Sequence, residues 1–263
     1  MEIKYKRGDL YMMDITELKE YNKKLNLNLG QTETNYIHTA ILFAISKLFP
    51  EKFIFKGGTC LMLCYNLNRF SEDLDFTIIE PESDLDDCLT KIKLFLQNYN
   101  VSIDYKIEKK GKYEDIYVYF YGPLYKDTNN TRCKIALDFS NRKDNLLPGT
   151  PLAVNHVYRE FPLFYINTLN ENEIFAEKVR AIITRNKARD LFDLHFLIKK
   201  GIQADFELIN KKLEIYGYKF DLNRFIETLN NKKSIWKSEL SQLITNVPNF
   251  KTVSKEVIEK FKK

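Results

Sequence analysis

The chain has 263 residues, of which 44% are hydrophobic and 14% aromatic, and this composition excludes wholesale disorder. Nine Gly and seven Pro exclude a collagen-like or low-complexity chain, and the length suits one large domain or two modest ones. The formal net charge of +5 permits an anionic partner without requiring one.

The start of the chain, MEIKYKRGDL, has no apolar stretch behind its charges, so we predict that it is not a signal peptide. No apolar run approaches the roughly 18 residues that a membrane span needs. The four cysteines show no paired CxxC spacing and the three histidines are scattered, so the sequence predicts no zinc cluster. A reduced, cytoplasmic location is the simplest interpretation.

The first half of the chain is predicted to mix helices and strands. Helical periodicity covers residues 31–49, and the apolar run at 53–55 indicates a short strand. The pair Gly57-Gly58 indicates a turn before a helix at 59–67, and the alternation at 73–79 indicates a strand. The later predicted elements are a helix at 84–99 and strands at 101–107, 115–121 and 132–139. This succession predicts an α+β fold with a mixed sheet.

The second half is predicted to be mainly helical. The polar stretch 141–150, with Pro148 and Gly149, is a candidate boundary, and helical patterns dominate from Glu171 onward. We therefore expect a sheet-bearing domain at 1–150 and a helical bundle domain at 151–263. The segment from Asn231 onward, which we call the basic tail, has eight Lys and three Glu. It is either a solvated helical face with a frayed end or a contact for nucleic acid.

The adjacent glycines suggest a phosphate site. They follow an apolar strand and precede a probable helix, so the next amides and the Thr59 hydroxyl would lie at a helix N-terminus. Many strand-to-helix turns carry glycine for backbone geometry alone, and this alternative stays open.

Three aspartates suggest a metal site. Asp73 and Asp75 are two residues apart on a predicted strand, so both carboxylates point to the same face of the sheet. A divalent cation bound there would relieve their repulsion. Asp138, on a later strand, could bind the same metal and activate an attacking hydroxyl. The alternatives are solvated acids on an exposed strand and an ordinary aspartate near a strand end.

Four stretches together resemble a known family: KGGTCL (56–61), RFSEDLDF (69–76), IALDFS (135–140) and EKVRAIITRNKARDLFDLHFL (177–197). They look like the minimal nucleotidyltransferases of the DNA polymerase β superfamily. More narrowly, they are similar to the AbiEii/AbiGii toxins of abortive-infection and type IV toxin–antitoxin systems. The resemblance covers roughly residues 35–200, and the first thirty residues and the region after Gly201 lie outside it.

The resemblance implies a Mg²⁺-dependent (or Mn²⁺-dependent) enzyme that moves an NMP from an NTP to an acceptor hydroxyl and releases pyrophosphate. The implied metal ligands are Asp73, Asp75 and Asp138, and Lys178 joins them in catalysis by neutralising charge on the β- and γ-phosphates. The implied nucleotide-binding residues are Lys56, Gly57, Gly58, Thr59, Arg69, Ser71, Lys178, Arg180, Arg189 and Asp190. For Arg189 and Asp193, an ordinary helix–helix interface with Arg–Asp pairs is an equal alternative.

RNA is the leading acceptor, because characterised relatives modify the 3′ end of tRNA. The implied partner is an antitoxin that acts without a stable complex, and the sequence predicts no membrane partner. Two alternatives stay open: transfer to a small molecule or a protein, and a catalytically silent protein that acts through a partner. The NTP preference and the oligomeric state do not follow from the sequence.

Overall fold

A computed structural model describes residues 13–79, 84–110, 113–142 and 145–262 of the chain. Within these ranges seven of the ten α-helices begin at a residue whose side chain caps the helix. Asp14 caps α1 and Asn28 caps α2, each in a capping box. The ten α-helices are α1 (Ile15–Leu25), α2 (Leu29–Leu48), α3 (Gly57–Tyr65), α4 (Leu85–Gln97), α5 (Glu171–Thr184), α6 (Ala188–Lys199), α7 (Phe206–Glu214), α8 (Leu222–Asn231), α9 (Trp236–Leu240) and α10 (Phe250–Phe261).

Seven strands of the described residues form one mixed sheet in the order β3-β4-β5-β2-β1-β7-β6. The strands are β1 (Phe53–Lys56), β2 (Leu74–Ile78), β3 (Ile103–Lys110), β4 (Tyr113–Phe120), β5 (Cys133–Ser140), β6 (Thr150–Ala153) and β7 (Tyr165–Thr168). The pairs β2–β5 and β1–β7 are parallel, and β3–β4 and β4–β5 are antiparallel. The predicted α+β fold class is thereby confirmed.

The two faces of the sheet differ in character. One face, which we call the covered face, carries buried side chains such as Val118 and Leu137. Tyr105 stands in register with Val118, and its hydroxyl lies 2.8 Å from the Thr90 hydroxyl of α4, so α4 packs on this face. The alternate residues point to the opposite face, which carries the aspartates discussed below and which we call the carboxylate face.

Several element bounds differ from those predicted. Helix α3 begins at Gly57 rather than at Thr59, and β2 begins one residue after Asp73. The strands β6 and β7 were not predicted, because each has four residues and β6 contains Pro151, which gives them no clear alternation. The initial segment MEIKYKRGDL lies outside the described residues.

The chain forms two compact units. Unit 1 consists of the described residues of Met1–Phe55, Glu72–Arg142 and Pro151–Thr168, and unit 2 of those of Lys56–Ser71, Lys143–Thr150 and Leu169–Lys263. These units do not follow the predicted ranges 1–150 and 151–263, because residues 56–71 cluster with the later helices. None of the helices that the structure describes has both the length and the apolar character that crossing a membrane requires.

Candidate active site

Two of the predicted carboxylates stand side by side in unit 1. Asp75 of β2 is the register partner of Asp138 of β5, and the two strands are parallel neighbours. Paired residues of parallel neighbours point to the same face, with about 4.8 Å between the strands. The preceding pair, Leu74 and Leu137, is buried on the covered face. The alternation therefore presents both carboxylates on the carboxylate face, where Asp138 is exposed and Asp75 is half-buried.

The third carboxylate, Asp73, lies immediately before β2 and is half-buried. A histidine that sequence reasoning did not single out holds the backbone beside it. The buried His38 of α2 lies with Nε2 2.9 Å from the carbonyl oxygen of Glu72, so this nitrogen donates the hydrogen bond. Burial lowers the pKa of His38 to about 4, which keeps the ring neutral at physiological pH. His38 thus fixes the segment that leads into Asp73.

The donor set suits a hard divalent cation. Among the residues that the structure describes, no three His, Cys, Asp or Glu side chains are gathered into a group that could by itself hold a metal ion. Mg²⁺ does not need such a cage, because it is usually bound by one or two carboxylates, several waters and substrate phosphates. The in-register pair of Asp75 and Asp138 meets that requirement, and Asp73 adds a further carboxylate two residues from Asp75.

The two adjacent glycines of unit 2 are required for different reasons. Gly57 has φ of 78°, a left-handed conformation that favours glycine. At Gly58, a Cβ would meet the guanidinium group of Arg69 and lie 2.8 Å from the Ser71 hydroxyl oxygen. The turn therefore brings the 56–61 and 69–71 motif segments into contact. Thr59 is fully buried, so the part of this turn nearest the surface is the half-buried Gly57.

The Gly58→Ala variant is expected to lose about 1–3 kcal/mol of unfolding free energy, because the added methyl group overpacks the contact with Arg69 and Ser71. Gly30→Ala is the matched control, since a Cβ there meets Asn28 at an ordinary 3.5 Å in a helix that favours alanine. Urea denaturation of both variants measures the difference. Equal stabilities of the two variants would contradict the close packing at Gly58.

A chain of alternating charges runs through the interior of unit 2. Arg69 donates two hydrogen bonds to Asp193, at 2.6 and 2.7 Å, and both side chains are almost fully buried. Lys178 Nζ lies 2.7 Å from Asp193 and 3.4 Å from Asp190. Arg185, whose side chain is half-exposed, closes the chain with bonds of 2.8 and 2.9 Å to Asp190. Three cations thus share two carboxylates.

The two aspartates stay ionised despite their burial. Burial opposes the charged form, but Lys178 and Arg185 together hold the pKa of Asp190 well below its ordinary value, and Arg189 contributes further. Arg69 and Lys178 lower the pKa of Asp193 in the same way. Three cations against two ionised carboxylates leave one positive charge in excess in this group of side chains, which favours an anionic ligand.

A second buried network joins Lys56, the last residue of β1, to α5 and α7. Glu177 lies 3.8 Å from Lys56 Nζ and 3.3 Å from Lys212 Nζ, and Lys212 also contacts Glu173 at 2.6 Å. Glu173 accepts hydrogen bonds from the backbone N–H groups of Leu146 and Leu147. Sequence reasoning missed Lys212, although its position among Leu208, Ile209 and Leu213 on one helix face is a signal of burial.

The network predicts a loss of stability in acid. Burial raises the pKa of Glu177, but Lys56 and Lys212 outweigh it and lower this pKa from 4.5 to about 2. A folded-state pKa below the unfolded value stabilises the protein above the unfolded value, and the contribution is lost as the pH falls. Urea denaturation should therefore show decreasing stability from pH 4.5 toward 2, and Glu177→Gln should show a weaker decrease. An unchanged pH dependence in this variant would contradict the assignment.

The remaining predicted nucleotide-binding residues also have defined places. Arg180 of α5 donates a hydrogen bond to the Tyr216 hydroxyl, and its guanidinium carbon lies 4.9 Å from the ring centre of that tyrosine. Arg189 is half-buried at the start of α6, next to Asp190. Asp190 is fully buried and bonded to cations, so it is placed to orient Lys178 and Arg185.

One lysine of the basic tail is not part of a solvated face. Lys232 is 1% exposed, and its Nζ donates to the carbonyl oxygens of Ile182 and Arg185, each at 3.0 Å. These carbonyls lie at the C-terminal end of α5, where helix carbonyls lack intrahelical partners. Both interpretations of the tail are therefore wrong for Lys232, which caps a helix end. Lys263 lies outside the described residues.

Comparisons with known proteins agree with this architecture. A family model described as "Nucleotidyl transferase AbiEii toxin, Type IV TA system" matches residues 40–258. MenT4, a nucleotidyltransferase toxin from Mycobacterium tuberculosis H37Rv, is 18% identical with a TM-score of 0.65, and the match covers 93% of this chain and 88% of that one. JHP933 from Helicobacter pylori is 22% identical with a TM-score of 0.57, over 88% and 90% of the two chains. At such identities the structural likeness shows the fold. No curated protein sequence matches the chain.

Proposed function

The chain belongs to the AbiEii family of nucleotidyltransferase toxins of type IV toxin–antitoxin systems, and on this premise we propose that it transfers an NMP from an NTP to the 3′ end of an RNA, most specifically tRNA. Membership in the family makes the chain a nucleotidyltransferase and implies an NTP substrate and an antitoxin partner. The acceptor, the use of Mg²⁺ and a cytoplasmic location are parts of the proposal.

The observation that carries the proposal is the register of Asp75 with Asp138 on the carboxylate face, with Asp73 just before the strand. These three aspartates would hold Mg²⁺, which would polarise the α-phosphate and favour ionisation of the acceptor hydroxyl. Asp138 is exposed, which suits a carboxylate that accepts the proton of an incoming hydroxyl. Asp73 and Asp75 are assigned to ligation, and His38 anchors the backbone carbonyl of Glu72 just before them.

We assign phosphate binding to the glycine turn and the alternating charge chain. In the turn, the backbone of Gly57 and Gly58 offers N–H groups at the start of α3, a helix whose N-cap residue makes no side-chain capping bond. Lys178 carries the charge for the β- and γ-phosphates, and Asp190 and Asp193 act as positioning residues that hold its Nζ. Lys56, Thr59, Arg69, Ser71, Arg180 and Arg189 complete the proposed nucleotide-binding set.

Positioning accounts for most of the expected catalysis. The reaction needs an in-line attack by the acceptor oxygen on the α-phosphate, with the P–O bond to the leaving pyrophosphate breaking as the new bond forms. Side chains fixed by buried ion pairs lose little freedom on binding, so they stabilise the developing charge without rearranging. The burial of Arg69, Asp193 and Lys178 provides this rigidity.

The test uses purified protein, Mg²⁺ and each α-labelled NTP in turn, with total RNA as acceptor. We expect label at the 3′ end of RNA and release of pyrophosphate, both abolished by EDTA. Label on a protein or a metabolite, with none on RNA, would favour the alternative acceptors. Addition of the protein encoded beside this gene then tests for an antitoxin.

A further inference from the structure

A row of tyrosines and cations lies on the carboxylate face and contains none of the predicted catalytic residues. Strand β4 alternates strictly: Ile116 and Val118 are buried on the covered face, whereas Tyr117 and Tyr119 point to the carboxylate face and are half-buried. On β5, Lys134 is the register partner of Tyr119 and is exposed. The two strands thus present rings and a positive charge side by side.

Each of these rings carries a cation. Lys134 Nζ lies 3.6 Å from the ring centre of Tyr117, and the guanidinium carbon of Arg132 lies 4.3 Å from that of Tyr119. A cation within about 6 Å of an aromatic ring centre is attracted to the ring face, so these contacts hold both cations over the tyrosine rings. We call these four residues (Tyr117, Tyr119, Arg132 and Lys134) the tyrosine–cation surface.

The strand register connects this surface to the proposed metal ligands. Lys134 and Asp138 lie four residues apart on β5, so their side chains share a face at a separation of about 13 Å. Ala136, the register partner of Tyr117, lies between them, and the small alanine side chain does not obstruct the path along the strand. A chain of stacked nucleotides, with a rise of about 3.4 Å each, covers this distance in a few steps.

We propose that the tyrosine–cation surface binds the unpaired 3′ segment of the RNA acceptor and directs its terminal hydroxyl along β5 toward Asp138. The proposal rests on the function proposed above. Tyr117 and Tyr119 offer stacking surfaces for bases, and Arg132 and Lys134 offer positive charge to the phosphates, which is the combination that single-stranded nucleic acid requires. A small-molecule acceptor would not extend this far from the metal ligands. On the neighbouring strand β3, Lys106 and Glu108 form a salt bridge and add no net charge.

The test measures binding of a short, fluorescein-labelled single-stranded RNA with a free 3′ hydroxyl, by fluorescence anisotropy in the absence of metal and NTP. The double variant Arg132→Gln/Lys134→Gln is expected to raise Kd at least about tenfold. It should also reduce the slope of log K against log salt by about 0.7 for each phosphate contact removed. Tyr119→Leu, which retains an apolar side chain, is expected to raise Kd by about fivefold or more through lost stacking.

Matched controls lie on the other side of the sheet. Lys91 is an exposed lysine of α4, paired with Asp87, and Tyr105 is on the covered face of β3. Lys91→Gln and Tyr105→Leu are expected to bind the RNA as the unmodified protein does. The unfolding midpoint of each variant shows that it is folded, and calorimetric titration with NTP and Mg²⁺ shows that nucleotide binding persists in the surface variants.

The outcomes separate this inference from the proposed function. Weaker RNA binding with unchanged NTP binding supports it. Unchanged RNA binding in the surface variants overturns it, and leaves the proposed function standing if the unmodified protein still labels RNA. The inference is also overturned if the unmodified protein fails to bind the RNA. It is likewise overturned if the surface variants lose the ability to label a protein acceptor while their affinity for RNA is unchanged.

Discussion

Replacement of Asp75 by asparagine is expected to reduce nucleotidyl transfer at least about 10³-fold, because it removes a ligand charge without changing the side-chain volume. A bound divalent metal contributes several kcal/mol to transition-state stabilisation, and each 1.36 kcal/mol is worth a factor of ten. The side chain stands on the carboxylate face in register with Asp138 and packs little of the core, so the variant should remain folded.

The measurement is the initial rate of label incorporation into RNA, together with the unfolding midpoint of the variant. Asp87→Asn, at an exposed position of α4, is the matched control and should retain full activity. If the protein inhibits growth when expressed, Asp75→Asn should also abolish that inhibition. Inhibition that survives the loss of transfer would show that toxicity does not depend on this chemistry.

The Asp193→Asn variant is expected to lose about 3–5 kcal/mol of unfolding free energy, because Arg69 and Lys178 would remain buried after the loss of the charge they share. Arg69 suffers most, since Asp193 accepts two of its hydrogen bonds. Urea denaturation at neutral pH measures the loss. Glu259→Gln, which removes an exposed i,i+4 partner of Lys255, is the control and should change stability by less than about 1 kcal/mol.

Lys178→Met provides the contrast that separates stability from catalysis. In this variant Asp193 keeps Arg69 and Asp190 keeps Arg185, so neither carboxylate is left without a cation. We therefore expect a smaller loss of stability than in Asp193→Asn, with a large loss of transfer activity. A Lys178→Met protein that is fully active would contradict the role assigned to this lysine.

From the sequence, the class of reaction could be predicted more fully than the contacts that support the site. The spacing of Asp73 and Asp75 and the alternation around Asp138 are local properties, because strand periodicity alone decides which residues share a face. The motifs around Gly57, Asp73, Asp138 and Lys178 identified the AbiEii family, which the family match over residues 40–258 confirms. The assignment of individual site residues stays a prediction that the experiments above test.

Long-range pairing was beyond such reasoning. Nothing local to Asp75 or Asp138 states that β2 and β5 are parallel neighbours, so only the register showed that the two carboxylates are adjacent. For the same reason, the sequence leaves an interface role and a functional role as equal alternatives for Asp193, and it does not reveal the bonds of Asp193 to Arg69 and Lys178. Arg69 lies 124 residues from Asp193 and Lys178 lies on a different helix, whereas sequence patterns report neighbours only within an element.

The net charge of the chain shows the same division between what the sequence determines and what the structure decides. The sequence by itself determined a net charge of +5 and its concentration after Asn231. Only the tertiary structure decided that Lys232 is buried as a helix cap, that Lys212 is enclosed by glutamates, and that Arg132 and Lys134 lie over tyrosine rings near Asp138. The physical reason is that a cation's role depends on the groups that fold around it, and composition counts charges without placing them.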